Sequence, residues 1–242
     1  MFDKFNFYDL LGYLLPGAVV VLVLYWFGHG ILALPVPDLP TDLGGSFLLI
    51  GLSYIVGQVL VQGIASSFED RQNRKDGGRL SERLLSASNS TFTPGLKARI
   101  EQCAKDTFQV VYGTVNGSEG ISGKELFDLC YALVVQKGLA AHTEIFLAIS
   151  GLLRGLCVAA WLGLIVSGVT LVLELVIVLY HESGGTIPSS GPLMRNLSGL
   201  AYAAIGIVVF SAAIYLTQYR SSRFRDYFAS SVYYNFVGYC AK

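Results

Sequence analysis

Gly163, Ser167, Thr170 and Glu174 recur at spacings of four, three and four within one apolar stretch, which sets them on one face of a helix. Leu, Ile and Val surround them, and Glu174 precedes Tyr180 by six residues, about 9 Å along a helix axis. A carboxylate inside such a stretch is costly unless it is paired, hydrated or protonated. The face therefore reads as the lining of a pore. The competing reading has Glu174 reach out to the membrane surface while Ser167 and Thr170 bond back to their own helix. A second cluster, Arg71, Arg74, Lys75, Arg79 and Arg83, holds the donors of an anion or nucleotide site, with Gly77 and Gly78 letting backbone amides approach a phosphate. Its plainer reading is charge flanking a membrane crossing. No phosphate-cradling GxxxxGK, no GxGxxG after a strand, no GxSxG and no HExxH occurs. His29, His142 and His181 lie in separate regions, so no catalytic residue, metal site or cofactor is expected.

The elements that must carry these residues follow from composition. Of 242 residues, 53% are apolar and 14% charged, with a mean hydropathy of +0.54. Soluble domains are about a quarter charged. The apolar excess falls in four blocks, near 10–34, 46–68, 155–180 and 197–218, each close to the ~20 residues that cross a bilayer. A plain soluble enzyme, a disordered chain and a disulfide-knotted secreted domain are excluded. The expected fold is all-α, a polytopic membrane protein with four transmembrane helices and a small helical cytoplasmic insert. Its segments are 1–68 (helices 1 and 2), 69–142 (the insert), 143–218 (a juxtamembrane helix with helices 3 and 4) and 219–242 (an aromatic and basic tail). Pro16 and Gly17 should loosen the first turns of the first crossing. Tyr54, Gln58 and Gln62 in the second block, and Ser211, Tyr215 and Gln218 in the fourth, are read as interhelical hydrogen-bonding groups.

Orientation follows from Lys and Arg. Ten lie between blocks two and three, four lie in the tail, and Lys4 and Arg154 share that side; only Arg195 lies opposite. Sixteen against one places both termini and the insert in the cytoplasm. Cys103, Cys130 and Cys240 then face a reducing compartment and Cys157 lies near the inner end of block three, so spectator thiols are expected.

Within the insert, Thr93-Pro94 reads as an N-cap followed by proline at the first helical position, opening a helix with Leu96, Ile100, Cys103, Thr107, Phe108 and Val111 on one face. Residues 113–123 form a turn-rich break. Ser122 and Glu125 match a capping box opening a second helix, with Leu126, Leu129, Cys130, Leu133 and Val134 as its stripe. A shorter helix is expected near 79–86. Such helices cannot each bury a face alone, so they should pack on one another or on a neighbouring subunit. After Gly138 a juxtamembrane helix should run straight into the third crossing, the alternative being a kink at Gly151. The tail alternates Arg with Phe224, Tyr227, Phe228, Tyr233, Tyr234, Phe236 and Tyr239. It reads as an amphipathic helix on the inner leaflet, or as a nucleic-acid surface on which aromatics stack.

FNFYDLLGYLLPG (5–17), GGRLSERLL (77–85), ELFDLCYALV (125–134) and FRDYFASSVYYNF (224–236) resemble small bacterial membrane proteins of antiphage defence loci. The membrane effector of Hailong-type systems is the nearest in layout. That resemblance implies a homo-oligomeric channel, taken as a tetramer in membrane lipid, whose opening depolarises the inner membrane and stops growth of an infected cell. It also implies a partner nucleotidyltransferase whose oligonucleotide product holds the channel shut until phage activity removes it. A non-catalytic membrane scaffold or a transporter subunit recruiting cytoplasmic partners is the alternative. A secondary transporter fits poorly, because four crossings without an internal repeat fall short of that architecture.

Overall fold

The computed structural model describes residues 10–28, 42–75, 78, 83–86, 88–115, 118–182 and 197–241. Its helices are α1 (Leu15–Trp26), α2 (Leu43–Val56), α3 (Gln62–Lys75), α4 (Pro94–Phe108), α5 (Gly123–Gln136), α6 (Ala141–Glu182) and α7 (Leu197–Cys240). A π-helical turn, Leu10–Leu14, precedes α1, and another, Gly57–Val61, joins α2 to α3. Among the described residues the strands are two, each of two residues: β1 (Thr114–Val115) and β2 (Ser118–Glu119), paired antiparallel with Thr114 opposite Glu119. That ribbon occupies the expected turn-rich break.

Among the described residues, three stretches are long and apolar enough to cross a membrane, Leu43–Arg71, Ala141–Tyr180 and Leu200–Cys240, and Gly12–Trp26 is a shorter apolar helix. The end of the first expected crossing, from residue 29 onward, lies outside the described residues. Proline punctuation sets the long elements. None occurs between Pro94 and Pro188, or after Pro192, so nothing removes a backbone donor from α6 or α7. Helix α6 runs 42 residues through Gly151 without a break, as the continuous reading expected. Helix α7 runs 44 residues, well past the expected end of its apolar block.

The chain divides into two compact units. One comprises Met1–Ser66 and Gly151–Ser221. Here α1, α2 and α6 approach through glycine. A Cβ on Gly17 would overlap the Ser53 carbonyl oxygen of α2, and one on Gly57 would overlap the Tyr13 carbonyl oxygen. A Cβ on Gly155 would stand 2.6 Å from Pro16 Cγ. The loosening expected at Pro16 takes the form of the π-helical turn just before it, which relieves the clash of a proline ring with the carbonyl four residues back. Val20, Val61, Ala65, Val158 and Ala159 form the apolar core beside these contacts.

The other unit comprises Ser67–Ser150 and Ser222–Lys242. Two of its helices begin as the sequence predicts. The Thr93 side chain accepts from Leu96 N, and Ser122 and Glu125 complete a reciprocal capping box. Helix α4 stops at Phe108, where Gln109 takes a left-handed backbone with φ 58°, so Val111 falls outside the helix and is exposed. Arg79 to Glu82, the first half of the expected short helix, lie outside the described residues. The core joins Leu84, Leu85 and Phe92 to Ile100, Cys103 and Ala104 of α4, Leu126, Phe127, Cys130 and Val134 of α5, and Ala229, Val232, Tyr233 and Phe236 of α7. The tail divides: Tyr233 and Phe236 are buried in this core, while Tyr227 and Tyr234 stay exposed. Its aromatics close the core of the insert, Phe236 stacking on Phe108 and Tyr233 meeting Phe92 and Phe127 edge-on. The polar loop at 86–93 is held by Lys97, whose ammonium donates to the carbonyls of Ser86 at 2.5 Å and Asn89 at 2.6 Å.

Candidate functional site

Residues Gly163, Ser167, Thr170 and Glu174 share one face of α6, and all four are buried within the first unit. Exposure is 2% at Ser167, 4% at Thr170 and 6% at Glu174. Their cover comes partly from α7. The Phe210 ring occupies the notch left by the missing side chain of Gly163, and a Cβ on Gly206 would overlap Ser167 Oγ. Gly163 thus receives a side chain from α7, and Gly206 receives one from α6. Thr170 Oγ1 donates to the Val166 carbonyl at 2.9 Å, the bond to its own helix that the competing reading foresaw. Among the described residues no hydrogen bond or ion pair is shown for the Glu174 carboxylate. The stripe is thus sealed within the chain at Gly163 and Ser167 and holds a buried carboxyl at Glu174.

The other polar groups of the apolar helices divide. Tyr54 is half-buried and meets the Tyr13 ring edge-on at 6.1 Å. Gln62 is half-buried, while Gln58, Ser211, Tyr215 and Gln218 are exposed. Tyr215 stacks on Tyr219 with centroids 6.5 Å apart. Thr217 Oγ1 donates back to the Ala213 carbonyl of its own helix at 2.6 Å.

Arg71 and Arg74 stand exposed on α3; the Lys75 side chain and all of Arg79 lie outside the described residues. Gly78 has φ 125°, a conformation open to glycine, and its N–H donates to the Asn73 carbonyl at 2.8 Å. Arg83 is half-buried and acts with Arg225 on Asp226. Burial raises the Asp226 carboxyl above its ordinary value, and the two guanidinium groups oppose that rise. Arg225 Nε is buried without a hydrogen-bond partner. Asp226 and Arg225, which the sequence reading left in the tail, therefore belong beside Arg83.

Two further polar junctions were not read from the sequence. Thr143, fully buried on α6, accepts from Ser231 Oγ at 3.0 Å and from Asn235 Nδ2 at 3.2 Å, and Asn235 Nδ2 also donates to the Leu139 carbonyl at 3.1 Å. Ser231 and Asn235 are four residues apart in a stretch dominated by aromatics, and this spacing is the one signal that marks them. No group of three or more His, Cys, Asp or Glu side chains among the described residues is arranged to hold a metal ion.

The class these features define is a predominantly helical protein with, among the described residues, three helices suited to a membrane, and a helical core closed by the C-terminal part of α7. No family model, curated protein or solved structure matches the chain.

Proposed function

We propose that the chain is a four-span protein of the bacterial inner membrane, with the Gly12–Trp26 helix as part of the first crossing and both termini cytoplasmic. In this reading it assembles as a homo-oligomer, taken as a tetramer, forming a gated channel that depolarises the membrane as an antiphage effector. The observation that carries the reading is the buried, polar face of α6 ending at the Glu174 carboxylate, inside helices that are otherwise apolar. In this reading the packed face of α6 is the shut state. Phe210 fills the Gly163 notch and Gly206 covers Ser167. Conduction requires α7 to move off this face, exposing Ser167 and Thr170 to water with Glu174 at the outer mouth. The gating ligand is a nucleotide or oligonucleotide, made by a partner nucleotidyltransferase and bound on the cytoplasmic side through Arg71, Arg74, Lys75, Arg79 and Arg83. The basic asymmetry of the sequence supports the orientation, and the resemblance to defence effectors supports the role.

The test is expression in bacteria with a membrane-potential dye, with and without candidate oligonucleotides. Depolarisation that an oligonucleotide suppresses supports the proposal; an unchanged potential at high expression contradicts it. A second reading, a non-catalytic scaffold or transporter subunit, draws on the same contact in the opposite sense. If the Gly163–Phe210 fit is permanent helix packing, the face conducts nothing, and the helical unit recruits a partner instead.

A further inference from the structure

Three of the four cysteines, distant in sequence, meet in the core of the unit formed by the insert and tail. Cys103 of α4 and Cys130 of α5 are buried there, and Cys240, in the last turn of α7, is half-buried against the same cluster. Thr107, one turn beyond Cys103 on α4, shares a 3.5 Å hydrogen bond with Cys240 Sγ. Cys103 and Cys240 belong to the same packed cluster, joined there from different helices. Thiols from the two helices thus meet in one cluster, Cys103 buried and Cys240 half-buried, with Cys240 bonded one turn along α4 from Cys103. Both are free in the structure.

We propose that Cys103 and Cys240 form an oxidisable dithiol, a modification site whose substrate is a hydroperoxide and whose product is a disulfide joining α4 to the end of α7. Cys240, the more accessible sulfur, attacks the nearer peroxide oxygen as its thiolate. The O–O bond breaks, the displaced oxygen takes up the proton, and Cys240 becomes a sulfenic acid. The Cys103 sulfur then attacks the sulfenic sulfur. An S–S bond forms, the S–O bond breaks, and the hydroxyl leaves as water with the Cys103 proton. Two thiols lose two electrons in all, and one hydrogen peroxide is reduced to two waters. Burial assigns the order of attack: it pushes the Cys103 thiol up to about 11 and the Cys130 thiol up to about 12, so neither supplies the first thiolate readily. Cys130 is a packed neighbour of the pair.

The disulfide ties the tail to the insert whose core it closes, and it forms whether or not the protein conducts ions. The test uses the full chain purified in detergent, exposed to hydrogen peroxide, then denatured, alkylated and digested for mass spectrometry. The expected result is loss of two of the four thiols and a peptide pair joining Cys103 to Cys240, reversed by dithiothreitol. In Cys103→Ser the same treatment leaves Cys240 as a sulfenic acid that dimedone traps, and Cys130→Ser retains the link. Four thiols remaining after treatment, a Cys103–Cys130 link, or a link between Cys240 residues of two copies overturns the proposal. The wild-type spectrum decides by itself, so a variant that fails to fold leaves the test intact.

Discussion

Gly163 of α6 receives the ring of Phe210 of α7 so closely that no side chain fits at position 163 while the ring stays in place. The obstacle is the ring of one side chain, which can turn aside, rather than fixed backbone. Gly163→Ala is expected to destabilise the protein by about 1 kcal/mol, the lower part of the overpacking range. Phe210→Leu in the same chain should recover part of that loss, and a double-mutant cycle of thermal unfolding in detergent measures the coupling. Strict additivity of the two substitutions would show that the residues do not share this space.

Gly17 and Gly57 differ in kind, because each faces a backbone carbonyl of the neighbouring helix. Backbone cannot turn aside. Gly17→Ala and Gly57→Ala should each destabilise by about 3 kcal/mol or more, while Gly151→Ala, where nothing lies within 4 Å, should be neutral or slightly stabilising. Detergent melting curves of the three variants check the ranking, and equal losses in all three would contradict it.

Lys97 should be worth more than a surface lysine. Its ammonium holds two carbonyls of the 86–93 loop, and that loop carries Phe92 into the core. Lys97→Met is expected to lose about 2 kcal/mol, since hydrogen bonds to a charged donor exceed neutral ones. Faster proteolysis near Ser88 would localise the loss to this loop; an unchanged cleavage rate would place the role of Lys97 elsewhere.

How far these features could be read in the sequence depends on how local their causes are. Thr93-Pro94 and Ser122 with Glu125 announce their helix starts because a cap involves neighbours three residues apart. The unbroken run of α6 was equally legible, since only a proline or a comparable defect would have stopped it. The face of Gly163, Ser167, Thr170 and Glu174 was visible as a periodicity, but nothing local says that Phe210 and Gly206 lie against it. The tail illustrates the same limit. Its aromatics advertise an apolar face, and a lipid surface, a stacked base and the α4–α5 core all satisfy that need equally in sequence terms. The cysteines were read as spectators because spacing says nothing about residues joined only by tertiary packing.

The capping box gives a pH dependence with a definite sign. Glu125 Oε2 accepts from Ser122 N at 2.8 Å and Ser122 Oγ at 3.0 Å, and these bonds, the backbone one foremost, hold its carboxyl below the ordinary 4.5. A depressed folded-state value stabilises above the unfolded one, and that stabilisation fades as pH falls through the folded value. The stability gap between wild type and Glu125→Ala should therefore be constant above about pH 5 and narrow below pH 4.5. A gap that widens on acidification would contradict the assignment.

The central claim is that the buried face of α6 becomes an ion path, and Glu174 is its most discriminating residue. The decisive measurement is cation flux through liposomes reconstituted with wild-type protein and with Glu174→Gln, the oligomeric mass of both being checked in detergent. The account predicts that the wild type conducts cations, that the substitution lowers cation conductance or selectivity about tenfold, and that assembly is unaltered, as removal of a carboxylate ring requires. Equal cation flux through the two proteins, or none through either, would contradict it.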